Sequence, residues 1–322
     1  MSTRIQLVLG AAQIGLPGPN SIGARVNKVE DAQKLVDLFV SHGHSKIDTS
    51  RVYGGGTSEE FISQLDLHGC TVDTKVYPIR AGGLRPAKVK QSLAASIKAL
   101  GNVKIQTFYL HAPDRSTPIE DTLRAVNELY KEGYFEEFGL SNFDSWEVAE
   151  VVCIARQHGW VKPTVYQGLY NVTGRNAETE LLPCLRHFGI RFYAYSPLAN
   201  GVLAGRVLTE ADTREAGGRW DPKVSALAGQ LHKSYTPVLP VFRDLKSLLD
   251  KNNITISGAA LRWLQHHSAL RPDLGDLVII GASNPVQLES NLEESAKGPL
   301  PSDIIKVLDD AWLDVKASSA RL

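Results

Sequence analysis

Eight short runs rich in β-branched and aromatic residues recur along the chain, each separated from the next by a stretch of helical pattern. No other feature restricts the fold as much. The runs are QLVLG (6–10), SKIDTS (45–50), CTVDTKV (70–76), IQTFYLH (105–111), FEEFGLS (135–141), TVYQGLY (164–170), RFYAYSP (191–197) and LVIIGAS (277–283). Between them, Val29, Ala32, Leu35, Val36, Phe39 and Val40 form a stripe of helical period. TPIEDTLRAVNELYKEG predicts a helix with Thr117 as cap, Pro118 at the first helical position and Glu120 as capping-box partner, closing at Gly133. SWEVAEVVCIARQHG and AETELLPCLRHFG also end on glycine.

Strand–helix alternation of this kind leaves two architectures, a closed barrel or an open doubly wound sheet. The open sheet should carry G-x-G-x-x-G at its first strand–helix turn. Here GAAQIG (10–15) has the wrong spacing and runs into a loop rich in Pro and Gly, and no GxxxxGK[ST] loop occurs. The chain is therefore predicted to be an α/β protein, a (β/α)8 TIM barrel. Its 322 residues suit one such domain spanning 1–322, with a long charged loop at about 206–236.

Composition removes several function classes. Thirty-five basic residues balance thirty-five acidic ones, so neither nucleic acid nor a membrane surface is expected as a partner. No apolar run reaches the roughly 18 residues of a membrane span. Cys70, Cys153 and Cys184 are odd in number and far apart, which argues against disulfides and structural zinc. With no secretion signal at the N-terminus, a cytoplasmic location is expected.

In such barrels the chemistry gathers where the strands end at their C-terminal side. Strand two ends at Asp48 with Tyr53 in the loop beyond, strand three near Lys75, and strand four at His111. Adjacent strands lie about 4.8 Å apart, so these four side chains can meet on one rim. Each alone reads blandly, as a turn former, a wall aromatic, a solvated charge and a loop histidine; their coincidence on consecutive strand ends carries the signal. Together they suit reduction of a carbonyl. Tyr53 would supply the proton, Lys75 would lower the phenol's pKa, Asp48 would anchor Lys75, and His111 would orient the carbonyl oxygen. Side chains cannot supply hydride, so a nicotinamide is required.

The chain resembles the aldo-keto reductases, most of all the branch holding the aflatoxin-aldehyde and succinic-semialdehyde reductases. Similarity is densest in FYLHAPDRSTPIEDTLRAVNELYKEGYFEEFGLSNF (108–143), WVKPTVYQGLYN (160–171), ETELLPCLRHFGIRFYAYSPLANGVLAG (178–205) and QLESNL (287–292). The resemblance implies NADPH-dependent reduction of a small-molecule aldehyde or ketone, and a homodimer by family alone. It further implies that Ser141, Asn142 and Gln167 bind the nicotinamide carboxamide, and that Tyr195 stacks on the ring. Ser196, Leu198, Gly201 and Arg206 would line the phosphate path, and Gly281, Ser283, Gln287 and Asn291 the adenosine-phosphate end.

The chain departs from that branch at Gln13, where methionine is common, and in the GGG triplet at 54–56. Gln13, Trp220 and Arg175 are candidates for the substrate pocket, with Trp220 either closing over the site or pinning its loop. A metal-dependent hydrolase is disfavoured: HGH (42–44) precedes strand two, at the opposite face, and adjacent His266 and His267 point apart on a helix. The alternative from another class is an NADP(H)-binding regulatory subunit on a reductase scaffold, as in potassium-channel β subunits.

Overall fold

A computed structural model describes residues 4–316 apart from 19, 20, 22, 215–217, 224 and 226. Its eight strands are β1 (Gln6–Gly10), β2 (Lys46–Asp48), β3 (Thr71–Val76), β4 (Ile105–Leu110), β5 (Phe135–Ser141), β6 (Pro163–Leu169), β7 (Arg191–Tyr195) and β8 (Leu277–Ile280). They close in sequence order into a barrel, and every pairing is parallel, with β1 returning to β8 through Gln6↔Leu277. Among the described residues the α-helices are α1 (Val29–Ser41), α2 (Ser58–Ile62), α3 (Pro86–Leu100), α4 (Ile119–Lys131), α5 (Ser145–His158) and α6 (Leu181–Phe188). They continue as α7 (Ala228–Tyr235), α8 (Leu239–Lys251), α9 (Ile256–His266), α10 (Pro285–Ala296) and α11 (Ser302–Lys316). This is the (β/α)8 barrel expected from the alternation. No described helix is long and apolar enough to cross a membrane.

The apolar periodicity explains the layering. Ala32, Leu35, Val36 and Phe39 of α1 are buried together against the sheet; fully burying a side chain such as Phe39 contributes about 2–3 kcal/mol. A second, smaller apolar cluster of Val8, Tyr109, Val165, Tyr193 and Ile279 fills the barrel's inside. Gly139 permits that filling, because a Cβ there would come within 2.3 Å of the Tyr109 ring.

Helix ends follow local chemistry in most places. In α5, Glu147 reaches back to the N–H of Asp144 (2.7 Å), and the helix stops at Gly159 in a left-handed conformation, φ 65°. At α4 the sequence reading needs correction. Pro118 is still extended (φ −53°, ψ 123°), and the Thr117 hydroxyl donates to Asp114 (2.7 Å) instead of capping the helix. Glu120 pairs with His158 (3.3 Å).

The stretch at 206–236 also differs from the expected irregular loop, since it contains α7. That helix buries only Ala228, Leu231 and Tyr235 and has a glycine at its second position, too brief a pattern to stand out. Three strands stop two or three residues sooner than their sequence runs, at Asp48, Tyr195 and Ile280, and β4 and β6 stop one residue sooner. The residues beyond those ends leave the ladder to build the barrel's mouth.

Candidate active site

Alternation along β2 and β3 turns Asp48 and Lys75 inward, and both are buried. The Lys75 ammonium donates to both Asp48 oxygens (2.7 Å each) and to the carbonyl of Thr49 (2.8 Å). Gln167, from β6 across the barrel, donates to the same carboxylate at 2.8 Å. The Lys75 Nζ lies 5.0 Å from the centre of the Tyr53 ring. His111 follows β4, fixed by its N–H to Val76 O (2.9 Å), and its ring meets Tyr53 edge-on with centroids 5.8 Å apart. The four residues expected from consecutive strand ends therefore stand together.

Burial sets their electrostatics. The Lys75 ammonium is pulled down by burial, yet Asp48 and then Tyr53 outweigh that and hold it above its ordinary value. Burial pushes the Tyr53 phenol up, and the nearby Lys75 charge only partly offsets the rise. The lowering expected from Lys75 is present, but desolvation outweighs it. His111 is driven well below its usual value by burial and then by Lys75, so the ring is neutral. Ser50 Oγ lies 3.2 Å from His111 Nδ1, leaving Nε2 without a protein partner among the described residues.

The expected cofactor positions line the same mouth. Ser141 ends β5 and pairs in register with Gln167. Asn142, in a left-handed conformation (φ 61°), donates to His111 O (2.8 Å) and Ser141 Oγ (3.0 Å) and accepts from the Tyr195 hydroxyl (2.8 Å). Beyond β7, Ser196, Ala199, Asn200 and Gly201 all take positive φ, in the turn that also holds Leu198. Arg206 is exposed at its far end. After β8 come Gly281 and Ser283, whose N–H and hydroxyl both meet Gln287 Oε1 (3.2 and 2.9 Å). Asn284 caps α10 through the N–H of Gln287 (2.9 Å), and Asn291 is buried one turn on.

The three pocket candidates separate. Gln13, with its amide turned to satisfy both ends, donates to Gly23 O (3.0 Å) and accepts from Arg219 Nη2 (2.9 Å). Trp220 is buried and donates its indole N–H to Asn200 O (3.0 Å), so it pins the loop. Arg175 bonds Val172 O (2.8 Å), Asp309 (2.7 Å) and Leu308 O (3.3 Å), and its guanidinium stacks 4.2 Å from the Trp263 ring. Those bonds tie α11 to the barrel; none reaches the four central residues.

Sequence reasoning missed Arg219. Its Nη1 bonds Asn200 Oδ1 (2.9 Å), and its Nε is buried with no partner among the described residues. Its guanidinium sits near the Tyr53 and Tyr235 hydroxyls. Nothing in the 206–236 stretch marks one arginine among several charges as the part-buried one. Asp73 was also missed, although it is legible: two residues before Lys75 on one strand, it must share that inward face. Of the histidine fragments, His42 lies beside Glu289 (3.2 Å), His266 on Lys297 O (2.8 Å), and His267 accepts from Leu300 N (2.9 Å).

A model of the aldo/keto reductase family matches residues 6–313. An aldo-keto reductase of Pseudocercospora fijiensis is 44% identical over 294 residues, 89% of this chain and 99% of that one. Aflatoxin B1 aldehyde reductase member 2 of Mus musculus is 42% identical over 307 residues, 92% and 83% of the two chains. Aflatoxin B1 aldehyde reductase member 4 of Homo sapiens is 40% identical over 316 residues, 95% and 93%. With a closed eight-stranded barrel and an acid, amine, phenol and imidazole gathered at its mouth, the chain belongs to the aldo/keto reductase family and is an oxidoreductase that reduces carbonyl groups.

Proposed function

We propose that the chain reduces an aldehyde or ketone to the alcohol with NADPH, and that Tyr53 delivers the proton. The observation that carries this reading is the buried Asp48–Lys75 pair (2.7 Å) set 5.0 Å from the ring of a partly buried phenol. Alkoxide charge developing on the substrate draws the Tyr53 proton, and the fixed Lys75 ammonium stabilises the phenolate left behind. Asp48 holds that ammonium in place, itself braced by Gln167. Neutral His111, set against Ser50 through Nδ1, orients the carbonyl oxygen when Nε2 carries the ring proton. Bound NADPH supplies the hydride.

The residues around the mouth fit that cofactor. After β7, Ala199, Asn200 and Gly201 take positive φ and fold the chain into a tight turn, in which the N–H groups of Ala199 and Gly201 bond Ser196 O (3.0 Å) and Leu198 O (2.9 Å). Ser196, Leu198 and Gly201 would lie along the diphosphate. Gly201 leaves the space open, since a Cβ there would meet nothing within 4 Å. The exposed Arg206, with Gly281, Ser283, Gln287 and Asn291 at the start of α10, would hold the terminal phosphate, a charge that favours NADPH over NADH. Tyr195 would lie against the nicotinamide, and Ser141 and Asn142 beside its carboxamide.

Arg219 adds a preference in substrate. A part-buried guanidinium with a buried N–H and, among the described residues, only amide partners suits a carbonyl compound bearing an anionic or strongly accepting group. The test of the central reading is Tyr53→Phe. NADPH binding, followed by fluorescence quenching, is expected to persist while aldehyde-dependent NADPH oxidation falls by about 10²-fold or more. Turnover at the parent rate would refute the proton donor assigned here.

A further inference from the structure

Below the Asp48–Lys75 pair lies a second one that the chemistry above does not use. Lys46 and Asp48 project inward from β2, Asp73 and Lys75 from β3, so opposite charges face each other down the wall. Lys46 Nζ stands 3.3 Å from Asp73, as Lys75 Nζ stands 2.7 Å from Asp48. Asp48 and Asp73 are neighbours in the strand register, which sets two carboxylates side by side inside one barrel.

Asp73 is fully buried and poorly satisfied. Its Lys46 contact is 3.3 Å, the Tyr109 hydroxyl is 3.5 Å away, and the buried Thr107 hydroxyl beside it has no partner at hydrogen-bond distance and angle among the described residues. The groups facing it are Lys46 and Asp48 from β2, Lys75 on its own strand, and Thr107 and Tyr109 from β4. From β7, Arg191 lies over the Tyr193 ring at 5.9 Å, and Lys46 over the same ring at 5.9 Å. Val8, Val165 and Ile279 close the layer with apolar surface.

We infer that Asp73 is a positioning residue for the reductase chemistry, whose protonation changes the charge beneath Lys75 and so gives turnover a response on the acid side. The inference rests on the proposed roles of Tyr53 and Lys75. With Asp73 ionised, the four inward charges sum to zero, and Asp73 competes with the Tyr53 phenolate for the field of Lys75. Once Asp73 takes a proton the set is net positive, the phenolate is better stabilised, and Tyr53 becomes a stronger acid. Burial, opposed by Lys46 and reinforced by Asp48, raises the Asp73 carboxyl to about 6, inside the range where this response can be measured.

The experiment is the pH dependence of kcat for aldehyde reduction at saturating NADPH, in the parent protein, Asp73→Asn and Lys46→Gln. The parent rate is expected to rise severalfold as pH falls through about 6. Asp73→Asn should lack the step and stay at the low-pH level throughout. Lys46→Gln removes the counter-ion and should move the step to higher pH. A step that persists unchanged in Asp73→Asn overturns the inference, as does a loss of turnover uniform across pH. If Asp73→Asn does not fold, a step left in place by Lys46→Gln overturns it equally. Tyr53→Phe separates the two layers of argument. Undiminished turnover in that variant defeats the proton-donor reading, whereas lost turnover beside a step indifferent to Asp73 defeats the present inference alone.

Discussion

Replacing Lys75 with methionine keeps the bulk of the side chain and removes its charge. At 5.0 Å from the Tyr53 ring and an effective dielectric constant of about 20, that charge is worth about 3 kcal/mol to the phenolate, or about 2 pKa units. A weaker acid transfers its proton more slowly. If about half of the change is expressed in the transition state, kcat/KM falls about tenfold. Alcohol oxidation at the same pH must fall by the same factor, because the catalyst cannot alter the equilibrium. The substitution also strands Asp48, which keeps only Gln167 as a side-chain partner (2.8 Å); an unpaired buried charge costs about 3–5 kcal/mol. Thermal melts should therefore accompany the kinetics, with the double variant Asp48→Asn/Lys75→Met as the neutral control. The decisive assay places a fluorinated tyrosine, intrinsically more acidic, at position 53. It should recover part of the activity lost by Lys75→Met and give little benefit beside an intact Lys75. A folded Lys75→Met protein with parental kcat/KM, or one that fluorinated tyrosine cannot help, would refute the reasoning.

Arg219→Met is expected to raise KM for a carboxylate-bearing aldehyde about tenfold or more and to leave KM for a neutral aldehyde of similar size nearly unchanged; equal effects on both substrates in steady-state kinetics would remove the anion preference. Gly139→Ala forces a methyl against the Tyr109 ring, 2.3 Å away, and should destabilise the barrel by about 1–3 kcal/mol in urea unfolding. Arg186→Met leaves the buried Asp276 carboxylate, which also accepts from Phe192 N and Arg271 N (2.8 Å each), without its counter-ion. Denaturant titration should show a loss of about 3 kcal/mol.

The chain's own pattern determined the barrel, because eight strands each followed by a helix can bury both faces of a parallel sheet only by closing it or winding it open, and the open form's glycine signature is absent. Asp48, Lys75 and His111 were legible for a related reason: the period of two and the strand ends fix which side chains look inward and where. Asp73 obeys the same rule, so its inward aspect follows from DTK alone. The cap of α4 reads differently in the structure because Asp114, three residues upstream, engages the Thr117 hydroxyl as a donor, whereas a cap would accept from the helix's free N–H groups.

Only the assembled tertiary structure decided the rest. Lys75 lowers both Tyr53 and His111, yet Tyr53 ends high and His111 low because burial favours each neutral form, and burial is a property of the closed barrel, not of any local stretch. Arg175 and Arg219 look equally exposed and equally charged in the sequence. The first is neutralised by Asp309, 134 residues away, and the second is carried by its loop to the barrel mouth among amides and phenols. Local sequence sets backbone conformation and side-chain direction. Which charge ends beside a carboxylate and which among neutral groups depends on contacts between segments far apart in the chain, and those exist only once the barrel has closed.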